Sequence, residues 1–331
     1  MYTPTFQDVL AARKRIQPYL LKTPLHSYHA LSEVIGCEIF VKHENHQPTG
    51  AFKIRGGINL VSQLSQEEKL RGVITASTGN HGQSIALASR MFGVHAIICV
   101  PRNPNQDKVK AIASYGAEIV EEGRDFEEAK ENAEKLAKLY GYRYVHSGNE
   151  PLLIAGVGTI ALEMVEEQPD LDVVIVPVGG GSGASGISTV YKAISPETRI
   201  IGVQASNAPS VYLSWKSGNI ESTETANTFA DGLATRKPFE LPLEVMKRNL
   251  DDFILVSEEE MKAAVRLYVE KAHTIAEGAG AASLAAAIKI REELKAKKVG
   301  VILSGGNLTA DTLRTILRKD SVHTKFITDN Y

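Results

Sequence analysis

VVIVPVGGGSGASG, residues 173–186, is the stretch whose reading decides the fold. A β-branched run enters a glycine-rich turn, and an apolar segment, ISTVYKAI (187–194), leaves it. Strand, glycine turn and helix in that order form one half of a βαβ unit. Glycine tolerates positive φ and lets backbone N–H groups approach an anion closely. The N-terminus of the helix that follows adds partial positive charge, so a phosphate suits the turn. A ligand-free strand–helix turn is the plainer reading, but five glycines within 179–186 weigh against it.

Gly181, Gly183 and Gly186 also match the G-x-G-x-x-G spacing of a dinucleotide turn. That reading asks for an acidic residue about 20 positions on, at the end of the next strand, to bind the ribose hydroxyls. The next strand-like run is RIIGVQAS (199–206), and the position is Gln204. A dinucleotide is weakened, and a single phosphate stays open.

Outward from this unit the chain alternates strand-like and helix-like segments. GVITAS (72–77), HAIICVP (95–101), AEIVEE (117–122) and YRYVHS (142–147) are separated by HGQSIALASRMF, QDKVKAIASY and FEEAKENAEKLAKLY. After 150 come DVVIVPV, RIIGVQAS, DFILVS and KVGVILSGG, and one further strand, CEIFVKHE (37–44), lies near the start. This predicts an α/β protein with mostly parallel sheets. At roughly 150 residues per domain, 331 residues suggest two α/β lobes with a ligand site between them. The last helix-like segment is TADTLRTILRK (309–319), and no C-terminal regulatory domain is expected beyond it.

Thirty-seven basic against 39 acidic side chains give a net charge of −2, which offers no electrostatic reason for nucleic acid or an anionic membrane as partner. No segment has the signature of a secretory signal or a membrane span, so a cytoplasmic protein is expected. Cys37 and Cys99, both in strand-like runs, read as buried reduced thiols rather than a disulfide or zinc framework.

Three other stretches carry chemistry. In PTGAFKIRGG (48–57), Lys53 stands between Phe52 and Ile54. It is either a lysine snorkelling to water at a helix start or a partly desolvated amine able to form a Schiff base. In TASTGNHGQS (75–84), Ser77, Thr78, Gly79 and Asn80 either cap a helix or present a carboxylate site at its N-terminus. His81 has no partner acid in sequence and reads first as structural. VILSGGN (301–307) again places small polar groups after an apolar strand.

The ordered series GAFKIRGG, ASTGNHGQ, PVGGGSGASG, EGAGAA and LSGGN resembles the fold-type-II pyridoxal-phosphate enzymes, most closely the serine/threonine dehydratase group that includes the serine racemases. The resemblance covers nearly the whole chain. It implies a two-lobed fold like that of the tryptophan synthase β chain. Residues 1–66 with 150–331 would form the large cofactor domain, and 67–149 the small one. It implies pyridoxal 5′-phosphate as cofactor, with Lys53 as the Schiff-base lysine and Phe52 against the cofactor. Asn80 would bind the ring's 3-oxygen, Gly179, Gly180, Gly181, Ser182 and Gly183 the phosphate, Ser304 the ring nitrogen, and Glu277 would stand near the ring edge. Ser77, Thr78, Gly79 and His81 would bind the substrate carboxylate.

The activity implied is β-elimination of water from L-threonine or L-serine, giving a 2-oxo acid and ammonia, with Lys53 removing the Cα proton. Alternatives are serine racemase and dehydratases for 3-hydroxyaspartate, phenylserine or a hydroxyectoine-derived amino acid. Thr78 stands where the racemases place a proton-transferring serine. Its methyl group crowds that site, which puts racemisation second. Ala51, Val157, Ser182 and Gly183 depart from the pattern of relatives. Gln204 and Ser210 stand where magnesium-binding relatives have carboxylates, so no metal is expected. Relatives of the family are commonly dimers or tetramers, so a homodimer or homotetramer is expected. A non-catalytic binder on this scaffold and a nicotinamide oxidoreductase are the readings from other classes. The retained Lys53, Asn80 and Ser304 oppose the first, and Gln204 opposes the second.

Overall fold

The computed structural model describes residues 2–318. Within them lie ten strands: β1 (Leu25–Ser27), β2 (Glu38–His43), β3 (Val73–Ala76), β4 (Ala96–Val100), β5 (Glu118–Glu121), β6 (Arg143–Tyr144), β7 (Val173–Pro177), β8 (Arg199–Ala205), β9 (Asp252–Val256) and β10 (Lys298–Leu303). They form a six-stranded sheet in the order β1-β2-β10-β7-β8-β9 and a four-stranded sheet in the order β5-β4-β3-β6. All pairings are parallel except β1 on β2, which is antiparallel. Helices cover both faces of the large sheet, so its inner strands are apolar without alternation, as in Val173–Val176 and Val299–Leu303, all buried.

The large sheet has a core on each face. One joins Val173, Ile175, Val299 and Val301 to Leu284 and Met261. The other joins Val174, Val176 and Ile302 to Ile160 and Ile187. Val157, a departure from the family pattern, lies in this second core beside Val9 and Ile160. The four-stranded sheet shares its core with the helix Ile54–Val61, whose Ile54 and Ile58 pack with Val73, Ile85 and Ile98. Each of these fully buried aliphatic side chains is worth about 1.5–3 kcal/mol of burial. Cys37 and Cys99 are buried free thiols, and burial pushes both up to about 11.

Some boundaries differ from the sequence reading. The helix Ile54–Val61 is followed by a second one, Gln66–Arg71, which Ser65 caps through a capping box with Glu68. YRYVHS pairs only over Arg143–Tyr144. The ring of His146 then accepts the N–H groups of Gly148 and Asn149 and turns the chain. The final helix spans Ala310–Leu317, and Lys319 of the expected segment lies outside the described residues. Among the described residues no helix is long and apolar enough to cross a membrane.

The three small-residue motifs stand in one geometric relation. Ser77 follows β3, Val178–Gly179 follows β7, and Ser304 follows β10, so each begins at a strand's carboxyl end. That end of an open parallel sheet is where ligands bind.

Candidate functional site

Lys53 reaches the carboxyl end of β10 through backbone pairing. The Phe52 N–H donates to Ser304 O at 3.0 Å, and Ala51 bridges Gly305. Lys53 then starts the helix Ile54–Val61, and its carbonyl accepts from Ser84 Oγ at 2.6 Å. Its side chain does not snorkel outward. Nζ donates to Ser182 Oγ at 2.9 Å and stands 5.2 Å from the centre of the Phe52 ring. Among the described residues no carboxylate pairs with it, and burial holds the amine well below the usual lysine range, at about 8.

Ser182 opens the helix Ser182–Ile194, capped by Gly181 in the left-handed region at φ +86°. Only glycine takes that conformation without strain. The N–H groups of Gly179, Gly180, Gly181, Ser182, Gly183 and Ala184 have no acceptor among the described residues; the first N–H that does is that of Ser185, bonded to Gly181 O. Six unsatisfied donors at a helix N-terminus form an anion cradle beside the Lys53 amine. Gly186 has a different task. It lies inside the helix, where a Cβ would come within 2.5 Å of Ile154 O, so it serves helix packing and the dinucleotide spacing is coincidental. Gln204 is buried, and its Oε1 accepts the Tyr212 N–H at 3.0 Å.

A second helix N-terminus faces the cleft. Gly79 precedes Asn80–Met91 with no side-chain cap, because Ser77 Oγ accepts from Gly79 N–H instead of from the helix. The N–H groups of Thr78, Asn80 and His81 have no acceptor among the described residues. His81 is buried, and the network fixes its tautomer. Thr75 Oγ1 donates to Val145 O at 2.7 Å, so its 3.0 Å contact with His81 Nε2 places the proton on Nε2. Burial, then the nearby Lys53 charge, push His81 down to about 3, and it stays neutral.

Asn80 Nδ2 donates to Glu277 Oε1 at 2.7 Å, and Asn80 Oδ1 accepts from Asn307 Nδ2 at 2.7 Å. Burial raises the Glu277 carboxyl to about 7, opposed by the Asn80 hydrogen bond. Ser304 is a buried residue, and its hydroxyl has no hydrogen-bond partner among the described residues. The fold therefore gathers Lys53, Phe52, Ser182 and the glycine loop, and joins Asn80 to Glu277. Asn307 was missed by sequence reasoning. It stands inside the quoted LSGGN, where an asparagine after glycines reads as a turn residue, and only its position beyond a strand's carboxyl end could have marked it.

Comparison with known proteins gives the same direction. The family model "Pyridoxal-phosphate dependent enzyme" matches residues 16–305. The chain is 42% identical to L-threonine ammonia-lyase of Thermotoga maritima over 318 residues, covering 96% of this chain and 79% of that one. It is 38% identical to L-threo-3-hydroxyaspartate ammonia-lyase of Saccharomyces cerevisiae over 317 residues, covering 96% and 97%. The solved structure of maize serine racemase superposes with a TM-score of 0.91 at 32% identity, covering 100% of both chains.

Proposed function

The chain belongs to the pyridoxal-phosphate-dependent enzyme family, and from that premise we propose that it is an ammonia-lyase converting L-threonine, L-serine or both to a 2-oxo acid and ammonia. The observation that carries this is the pairing of an amine without a carboxylate partner, Lys53, with the acceptor-free N–H cradle of Gly179–Ala184. These residues fit pyridoxal phosphate. The cradle suits its 5′-phosphate, the Ser304 hydroxyl, unpartnered among the described residues, suits the ring nitrogen, and Asn80 with Glu277 suits the ring's oxygen edge. When bound, the cofactor supplies an electron sink for the pair left at the substrate's Cα.

The chain's own residues supply the rest. Lys53 would anchor the cofactor, and its low-pKa amine would accept the Cα proton of the substrate. Ser182 Oγ, 2.9 Å away, receives a hydrogen bond from that amine and fixes its direction. The free N–H groups at Thr78, Asn80 and His81 take the substrate carboxylate, with Ser77 holding Gly79 in place. His81, neutral throughout the working range, adds no charge beside Lys53. The Thr78 hydroxyl serves the face opposite Lys53.

The reading treats residues 1–66 with 150–331 as the cofactor lobe and 67–149 as the small lobe, in a cytoplasmic homodimer or homotetramer. It includes no divalent metal at Gln204 and Ser210, whose neutral side chains already bond Tyr212 N–H and Thr235 O. A panel of β-hydroxy amino acids with added cofactor tests the assignment. Keto-acid release fastest from L-threonine or L-serine is expected. Turnover of 3-hydroxyaspartate alone, or D-serine formed from L-serine without keto acid, contradicts it.

A further inference from the structure

A hydrogen-bond chain of fixed direction runs from the lysine turn to the helix Asn80–Met91. It begins at Thr49 O, a backbone carbonyl that can only accept. Asn307 Nδ2 donates to it at 2.8 Å. The same nitrogen donates to Asn80 Oδ1 at 2.7 Å, so Asn80 turns its amide oxygen to Asn307. Its nitrogen is thereby aimed the other way, and Asn80 Nδ2 donates to Glu277 Oε1 at 2.7 Å. An asparagine amide alone has no strong preference between its two orientations, because oxygen and nitrogen are nearly the same size. Here the orientation is inherited from a backbone carbonyl through Asn307.

The surrounding backbone is shaped to hold Asn307. Gly306 N–H donates to Gly50 O at 2.9 Å, and Glu277 N–H donates to Gly305 O at 3.0 Å. Gly50 has φ +67°, and a Cβ there would stand 2.5 Å from Asn307 Oδ1, so conformation and space both demand glycine. Thr49, Gly50 and Asn307 belong to the rim of the large sheet, while Asn80 opens the helix that follows β3 in the small one. The Asn307–Asn80 bond ties one to the other.

We propose that Asn307 is a positioning residue for the reaction: it fixes the orientation of the Asn80 carboxamide, so that Asn80 presents N–H rather than oxygen on the Glu277 side of the cleft. This rests on the reading of Asn80 as a ligand of the cofactor's ring oxygen, which needs a donor there.

Asn307→Asp tests it, because the carboxylate keeps the shape but can donate to neither Thr49 O nor Asn80 Oδ1. Purified wild type and variant are titrated with pyridoxal phosphate, and the dissociation constant and the visible absorption spectrum are recorded. The variant is expected to bind about tenfold more weakly, the effect of losing one or two hydrogen bonds, with a displaced absorption maximum. Asn307→Ala, which loses the donors without adding charge, is expected to show the same displacement with a smaller loss of affinity, and it carries the test if the aspartate variant does not fold. Wild-type affinity and spectrum in the folded variants would overturn the proposal. So would an alanine variant weaker than the aspartate one, the order expected of a space-filling residue. Wild type that binds no cofactor would instead overturn the functional reading.

Discussion

Lys53 and Arg55 are two residues apart on one helix start, and their surroundings are opposite. Arg55 is buried and saturated. Its guanidinium donates to Glu44 at 2.7 and 2.8 Å, to Glu163 at 2.6 and 2.8 Å, and to the hydroxyls of Thr23 and Thr159. Lys42, also buried, completes the cluster at 2.6 Å from Glu163. Two cations meet two carboxylates, and those carboxylates hold Arg55 well above its usual range. Among the described residues Lys53 bonds one neutral hydroxyl, that of Ser182, and its amine is held low. On the proposed function, the contrast separates a charge kept for architecture from one kept for chemistry. A buried group with every bond made has nothing left to give a substrate.

Replacing each in turn sharpens the contrast. Lys53→Ala should remove keto-acid release by about 1,000-fold or more, since the proposed function makes Lys53 both anchor and base, while leaving the unfolding midpoint of the cofactor-free protein at or above that of wild type. Arg55→Met should do the reverse. It leaves Glu44 and Glu163 facing each other with only Lys42 between them. Denaturant unfolding should show a loss of about 3–5 kcal/mol, the cost of breaking a buried pair from one side. Arg55→Met at wild-type stability would erase the distinction.

A smaller effect lies in pH. Lys53 loses its proton near 8 in the folded protein and near 10.5 when free. Between those values the unfolded chain binds the extra proton, so the contribution of this group to stability grows as pH rises through that window. Glu277 runs the other way. Its carboxyl is held near 7 against an ordinary 4.5, so the folded chain binds the extra proton between them and the contribution of this group to stability falls as pH climbs from 4.5 to 7. The difference in unfolding free energy between wild type and Lys53→Met should change with pH across the upper window, and that between wild type and Glu277→Gln across the lower one. Arg55 contributes to neither.

Much of this was legible in the sequence because it is local. The strand runs, the glycine cradle and Lys53 between apolar neighbours all lie within short stretches, and the three motif turns each follow an apolar strand. β1 was not legible, since three residues, Leu25–Ser27, are too few to carry alternation. Lys42, Glu44, Arg55 and Glu163 meet only through tertiary folding, and each alone looks like a surface charge. The role of Asn307 depends on which atom faces Thr49, a matter of side-chain direction that no spacing encodes.

The account stands most directly on Lys53, and one measurement reaches it. The holoenzyme is reduced with borohydride and digested, and the modified peptide is identified by mass spectrometry. The pyridoxyl group should be found on Lys53 and on no other lysine. A label on a different lysine, Lys42 included, or a wild-type holoenzyme that takes up none, would contradict the account.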